Sequence, residues 1–214
     1  MTTLRDRLDE VLLRDVLRTA LAGGGDFAEV YAEDRRTRSL SLEDQRVEEL
    51  SAGRDVGAGI RVVSGDRSGY AHTNHLTRAA LLEAAKVAAA SAKGDAKRSI
   101  ADFTRPERRI EHRVKRDPFE VDLGSLVALA TDADEAARAV GGGVSQVVIS
   151  YGDTQQQVVI ANSEGRLADD HRTRTRLFAQ VVAARGERIQ TGYESAGTAG
   201  GHELFDSSPP AQVG

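Results

Sequence analysis

His202 and Glu203, in the stretch GGHELFD, are of the residue types that zinc peptidases use. Such a site needs two histidines one helical turn apart, so that both imidazoles meet one metal while a glutamate activates the bound water. Here the positions four and five after His202 are Asp206 and Ser207, and neither completes that spacing. Gly200-Gly201 before the pair and Ser207-Ser208-Pro209-Pro210 after it also oppose a helix, so the sequence predicts a loop. His72 and His75, in AHTNHL, stand three apart with no carboxylate in the same loop; they read as residues of a strand-to-helix junction. His112 and His171 are isolated.

Other stretches suggest binding. Gly57-Ala58-Gly59 has two glycines of a nucleotide-binding pattern but lacks the third. It heads a β-type run, whereas phosphate cradling needs a strand-to-helix turn, so close strand packing or a bulge is the expectation. In His171-Arg172-Thr173-Arg174-Thr175-Arg176, strand alternation puts Arg172, Arg174 and Arg176 on one face. Three guanidiniums in a row could hold the carboxylates or terminus of an acidic peptide, which makes them candidate substrate-binding residues. A solvated face paired with Asp169 and Asp170 is the competing reading, and the one the pattern favours. The basic stretch Arg105–Arg116 is interrupted by Glu107 and Glu111 and has no aromatic platform, so nucleic-acid binding is not expected there.

The elements that position these residues follow from periodicity. Leu4, Leu8, Val11, Leu12, Val16 and Leu17 form one face of an amphipathic helix, ended by Gly23-Gly24-Gly25. Alternation follows over Phe27–Asp34. One hairpin is expected around Glu43–Arg46 and a second, Val56–Val63 with Ser68–His72, around Ser64–Arg67. An Ala/Leu-rich helix spans Leu76–Ala92, with Thr73 or Asn74 as its cap. Lys93–Asp117 has no sustained period and reads as an extended crossing. Helical spacing returns over Val121–Val140, ended by Gly141-Gly142-Gly143. Strands are then expected over Val144–Tyr151, Gln157–Ala161, Arg166–Val182 (one strand or two) and Ile189–Tyr193, with Val56–Val63 and Gln157–Ala161 as candidate sheet edges.

The second half thus repeats the plan of the first. GGGDFAEVYAED corresponds to GGGVSQVVISYGD, and SGDRSGY to ARGERIQTGY. The expectation is an α+β fold of duplicated helix-plus-antiparallel-meander units, forming a mixed or antiparallel sheet with flanking helices. The repeats would be 1–92 and 121–195, joined by a crossing over 93–120.

Composition sets the outer limits. The chain has 214 residues, 40% hydrophobic and 29% charged, with a net charge of −4, so no whole-molecule field attracts nucleic acid. Cysteine is absent, which excludes disulfides and thiolate metal ligands and fits a reducing cytoplasm. MTTLRDRLDEVLLRDVL has no apolar core of a signal peptide, and no apolar run approaches the roughly 18–20 residues that span a bilayer. A soluble cytoplasmic protein is the expectation.

Three stretches together resemble the N-terminal domain of the TldD/PmbA family of zinc metallopeptidases. They are GDFAEVYAED with SLSLEDQRVEEL, then GAGIRVVSGDRSGYAHTNHLT, then VVIANSEGRLADDHRTRTRLFAQVVAARGERIQTGYESAGTAGG. RVVSGDRSGYAHTN looks closer to the TldD branch. The resemblance implies a cytoplasmic peptidase working as a homodimer or a TldD/PmbA-type heterodimer around an internal chamber, acting on unfolded or small peptides. It also implies the label of a modulator of DNA gyrase. The family's HExxxH motif and distant cysteine match no position before Gly214, so no catalytic or metal residue is carried over. Zinc is expected in a catalytic C-terminal domain or a separate catalytic chain, and this chain alone is expected to be inactive. A stand-alone peptide- or protein-binding scaffold is the alternative.

Overall fold

A computed structural model describes residues 3–94, 99–105 and 113–214. The expected first helix is two. Asp9 accepts the Leu12 amide at 2.7 Å and caps a new start, so a short α1 (Leu4–Arg7) precedes α2 (Glu10–Leu21). Val11, counted on the apolar face by spacing, is exposed. Then come β1 (Phe27–Glu43), β2 (Arg46–Ser64), β3 (Arg67–Thr73) and α3 (Arg78–Ser91). Thr77 caps α3, in place of the expected Thr73 or Asn74, because its hydroxyl reaches the Ala80 amide at 3.3 Å. A single 3₁₀ turn at Pro118–Glu120 leads into α4 (Leu123–Ala139), capped by Asp122. The chain continues through β4 (Val144–Asn162), β5 (Leu167–Arg185), β6 (Arg188–Thr198) and the single-turn helices α5 (Leu204–Ser207) and α6 (Pro210–Val213).

The fold is α+β: a six-stranded antiparallel sheet in the order β3-β2-β1-β4-β5-β6 with flanking helices. The strands are longer than the alternation suggested. Val144–Tyr151 and Gln157–Ala161 belong to one strand, β4, and Arg166–Val182 falls within a single turn-to-turn run ending in β5. The hairpin tips obey turn chemistry. Asp44 and Gln45 both take positive φ, 46° and 66°, as a two-residue turn of type I′ requires. Gly65 and Gly186, with φ of 57° and 61°, occupy the first central position, where a type II′ turn takes glycine.

Neither expected edge is one. Val56–Val63 lies in β2, where residues 58–64 pair with β3 on one side while β1 lies on the other, and β4 is interior between β1 and β5. The outer strands are β3 and β6. Two inner strands also run past their outer neighbours: β2 before Ala58, and β5 before Thr175.

Packing divides the chain into two units. Unit 1 comprises 1–35, 54–110 and 156–171. Its core joins Leu13 and Leu17 of α2, Leu81 and Ala85 of α3, and Val30 and Ile60 of the sheet, with each buried leucine contributing about 1.5–3 kcal/mol. The crossing segment is tied here too: Ala101 donates to the Ser163 carbonyl at 3.0 Å, and Thr104 bridges Arg166 in parallel. Unit 2 comprises 36–53, 111–155 and 172–214. Its core joins Leu40 and Leu42 of β1, Leu126 and Ala130 of α4, Ile149 of β4 and Leu177 of β5. Pro106, Glu107, Glu111 and His112, part of the basic stretch considered above, lie outside the described residues.

Candidate functional site

The β5 alternation places Arg172, Arg174 and Arg176 as expected: all three are exposed, while Thr173, Thr175 and Leu177 between and beyond them are buried. Arg174 and Arg176 form no ion pair among the described residues, whereas Arg172 is engaged in contacts of its own. The register of β5 with β6 sets Arg176 opposite Gly197, Phe178 opposite Ser195 and Gln180 opposite Tyr193. Opposite residues share a face, so an aromatic pair adjoins the arginines. The Arg176 guanidinium lies 5.3 Å from the Phe178 ring centroid, and Phe178 stacks on Tyr193 at 6.2 Å.

Sequence reading missed a second cluster, buried under the sheet in unit 2. Arg38 of β1 pairs with Asp153 of β4 at 2.8 Å. Its guanidinium also donates to the carbonyls of Val121, at 2.8 Å, and Pro118, and lies over the Phe119 ring. The other Asp153 oxygen accepts from the Tyr151 hydroxyl at 2.7 Å. The Thr175 hydroxyl lies within reach of both Asp153 (3.2 Å) and the Gly200 carbonyl (3.1 Å), and its one hydrogen serves either. Burial, and then the Asp153 charge, push the Tyr151 phenol far above its ordinary range. A signal was available: Arg38 has the parity of buried Leu40 and Leu42, and Asp153 that of Val147, Ile149 and Tyr151. A charge at a core-facing position needs a partner.

His202 and Glu203 lie beside this cluster, in the turn leading to α5. The Glu203 carboxylate accepts the Gly201 and Arg116 amides, each at 3.0 Å. Burial opposes its ionisation, but those two amides and others nearby outweigh it and hold the carboxyl at about 2. A side chain at Gly201 would meet the Arg116 carbonyl at 2.0 Å, so the turn needs glycine for close approach. Arg116 returns the grip, donating to Asp206 at 2.6 Å and to the His202 carbonyl at 3.0 Å. Burial, and then the Arg116 charge, depress the His202 imidazole pKa; its ring meets Phe205 edge-on at 4.9 Å.

These residues do not fit a metal. The Glu203 oxygens are occupied by amides, and no group of three His, Cys, Asp or Glu is placed to hold an ion among the described residues. His72 and His75 are exposed at the β3–α3 junction, where His72 stacks on Tyr70. A Cβ at Gly59 would fall 2.5 Å from the hydroxyl of the exposed Tyr70 side chain, and one at Gly57 would lie 3.0 Å from the Thr73 carbonyl. No helix among the described residues is long and apolar enough to cross a membrane.

Arg174, Arg176, Phe178 and Tyr193 thus line one exposed face of β5 and β6. Residues 28–92 match PmbA/TldA metallopeptidase domain 1 and residues 116–214 match the PmbA/TldA metallopeptidase central domain. The chain belongs to the PmbA/TldD metallopeptidase family and corresponds to its N-terminal part. It is 30% identical to a metalloprotease of Methanothermobacter thermautotrophicus, over 88% of this chain and 41% of that protein. It is 28% identical to the metalloprotease TldD homolog of Haemophilus influenzae, over 84% and 38%. The chain therefore spans about two fifths of the length of these relatives. Its fold is that of TldE from Thermococcus kodakarensis (TM-score 0.75, 16% identity, 94% of this chain and 46% of that one). It is also that of a candidate modulator of DNA gyrase from Bacteroides thetaiotaomicron (TM-score 0.74, 21% identity, 100% and 49%).

Proposed function

We propose that this chain is the non-catalytic, substrate-facing part of a TldD-type zinc metallopeptidase, lining its chamber and helping to bind unfolded or small peptides. The observation that carries this reading is the match to the first and central domains of the family, in a chain whose described residues assemble no metal-ligand cluster. Zinc and the chemistry of peptide hydrolysis belong to a catalytic domain or separate catalytic chain, within a cytoplasmic homodimer or heterodimer.

Sheet edges supply the means. A peptidase that accepts many sequences gains affinity from main-chain hydrogen bonds, which ignore side-chain identity. β6 is an outer strand whose residues 188–195 are all exposed, and β2 from Arg46 to Asp55 is exposed and lies beyond the β3 register. Uncovered edges of this length invite pairing with a peptide or partner. The test is reconstitution: peptidase activity on an unfolded polypeptide should require both this chain and the catalytic region. Full activity of the catalytic region alone would reject the reading.

The likeness to a structure described as a candidate gyrase modulator favours a second reading, a protein-binding scaffold without peptidase function. Reconstituted activity that depends on this chain separates the two.

We also infer that 1–92 and 121–195 are duplicated units joined by the crossing 93–120. Each runs helix, glycine run, then a three-stranded meander, and the strand order is symmetric outward from β1 and β4. Superposition of Leu4–Thr73 on Val121–Ser195 should match the helix and all three strands; agreement limited to one hairpin would reject duplication.

A further inference from the structure

We infer that the exposed face of β5 and β6 in unit 2 docks an extended acidic peptide, through Arg174 and Arg176 together with the Phe178–Tyr193 pair. This deepens the peptide-facing role proposed above and rests on it for its biological meaning.

The charges come first. Arg174 and Arg176 project from the same face, two residues apart, with no ion pair among the described residues to neutralise them. Arg172 stands one step back along the row, and its own contacts make it a neighbour of the strip, not a required element. Opposite Arg176 is Gly197, which has no side chain to shade the guanidinium. Two residues along a strand span about 6.8 Å, so the two forks repeat at the interval of alternate side chains in an extended peptide. Carboxylates at alternate positions of such a peptide meet one guanidinium each, in the planar geometry that permits paired hydrogen bonds.

The aromatics come next. Tyr193 is 78% exposed, and its ring lies against Phe178, so the strip ends in an apolar surface open to solvent. An apolar peptide residue beyond the acids would cover that surface. The Arg176 guanidinium already stacked over Phe178 is held in place for the contact, which lowers the entropy lost on binding. Single-stranded nucleic acid offers both phosphates and rings, but an extended peptide with acids at alternate positions matches the two-residue repeat of the arginines.

The experiment measures fluorescence anisotropy of short labelled peptides with this chain, without any peptidase readout. The probe carries glutamates at alternate positions followed by phenylalanine. The controls are a peptide of the same composition with its glutamates contiguous, and a single-stranded DNA oligonucleotide of equal charge. The alternating peptide should bind most tightly and weaken with salt, and R174Q/R176Q should lose about tenfold or more in affinity. Y193S should weaken the phenylalanine-bearing probe while leaving a probe with serine in its place unchanged. Circular dichroism of each variant checks folding, which substitutions at exposed positions should preserve. Equal affinity for alternating and contiguous glutamates, tighter binding of the DNA, or unchanged affinity in folded R174Q/R176Q would overturn the inference. Because the assay is free of catalysis, that outcome leaves the metallopeptidase reading standing.

Discussion

Arg38 and Asp153, 115 residues apart in sequence, meet at 2.8 Å with side-chain exposures of 7% and 0%. The pair joins β1 to β4, and through the Pro118 and Val121 carbonyls it fixes the chain entering α4. Each Asp153 oxygen has a donor, so the buried charge is compensated on both sides.

Removing one partner should therefore cost far more than removing both. Arg38→Met leaves Asp153 buried and unpaired, and the expected loss is about 3–5 kcal/mol. The double variant Arg38→Met/Asp153→Leu should be markedly more stable than the sum of the singles predicts. Urea unfolding of all four proteins measures this; additive losses would show that the pair is not coupled.

Acid should loosen the Gly200–Asp206 turn in two windows. The folded His202 pKa lies below its ordinary 6.5, so the unfolded chain binds the proton first and stability falls as pH drops below that value. The Glu203 carboxyl is depressed from 4.5 to about 2, so its contribution is complete above about 4.5 and disappears as pH falls toward 2. Glu203→Gln should lose about 1–3 kcal/mol at neutral pH and flatten the lower window. Thermal midpoints across pH 2–8 give the test, and an unchanged acid slope in Glu203→Gln would contradict it.

The chain by itself should hold no stoichiometric zinc and cleave no peptide. Elemental analysis after dialysis against zinc is the measurement. One tightly held zinc per chain, lost in His202→Ala, would defeat the assignment of metal to another domain.

Proline should separate edges from interior. Along β2 near Leu50 and along β6 near Tyr193, one of each consecutive pair of residues turns its amide away from the neighbouring strand. Proline at that position should leave the fold intact but cut reconstituted peptidase turnover. At Val159, in interior β4, proline should unfold the domain by about 3 kcal/mol or more. Undiminished turnover in folded edge variants would remove the edge from substrate capture.

The sequence alone determined what depends on neighbours along the chain. Alternation identified the faces of β5, glycine and short polar runs marked the hairpins, and Ala/Leu spacing located α3 and α4, because each follows from local backbone geometry. The HExxH and HExxxH spacings are likewise legible along the chain, since ligand spacing is a one-dimensional property, and Asp206 and Ser207 stand where the second histidine would. Tertiary structure decided the rest. Whether Val56–Val63 was an edge depended on what lay on the side away from its hairpin partner, and β1 lies there. The meaning of Arg38 depended on Asp153, and that of Arg176 on Phe178 and Tyr193. Strand order and register are settled by contacts between distant segments, whose free energy includes a loop-closure term and burial that no local pattern contains.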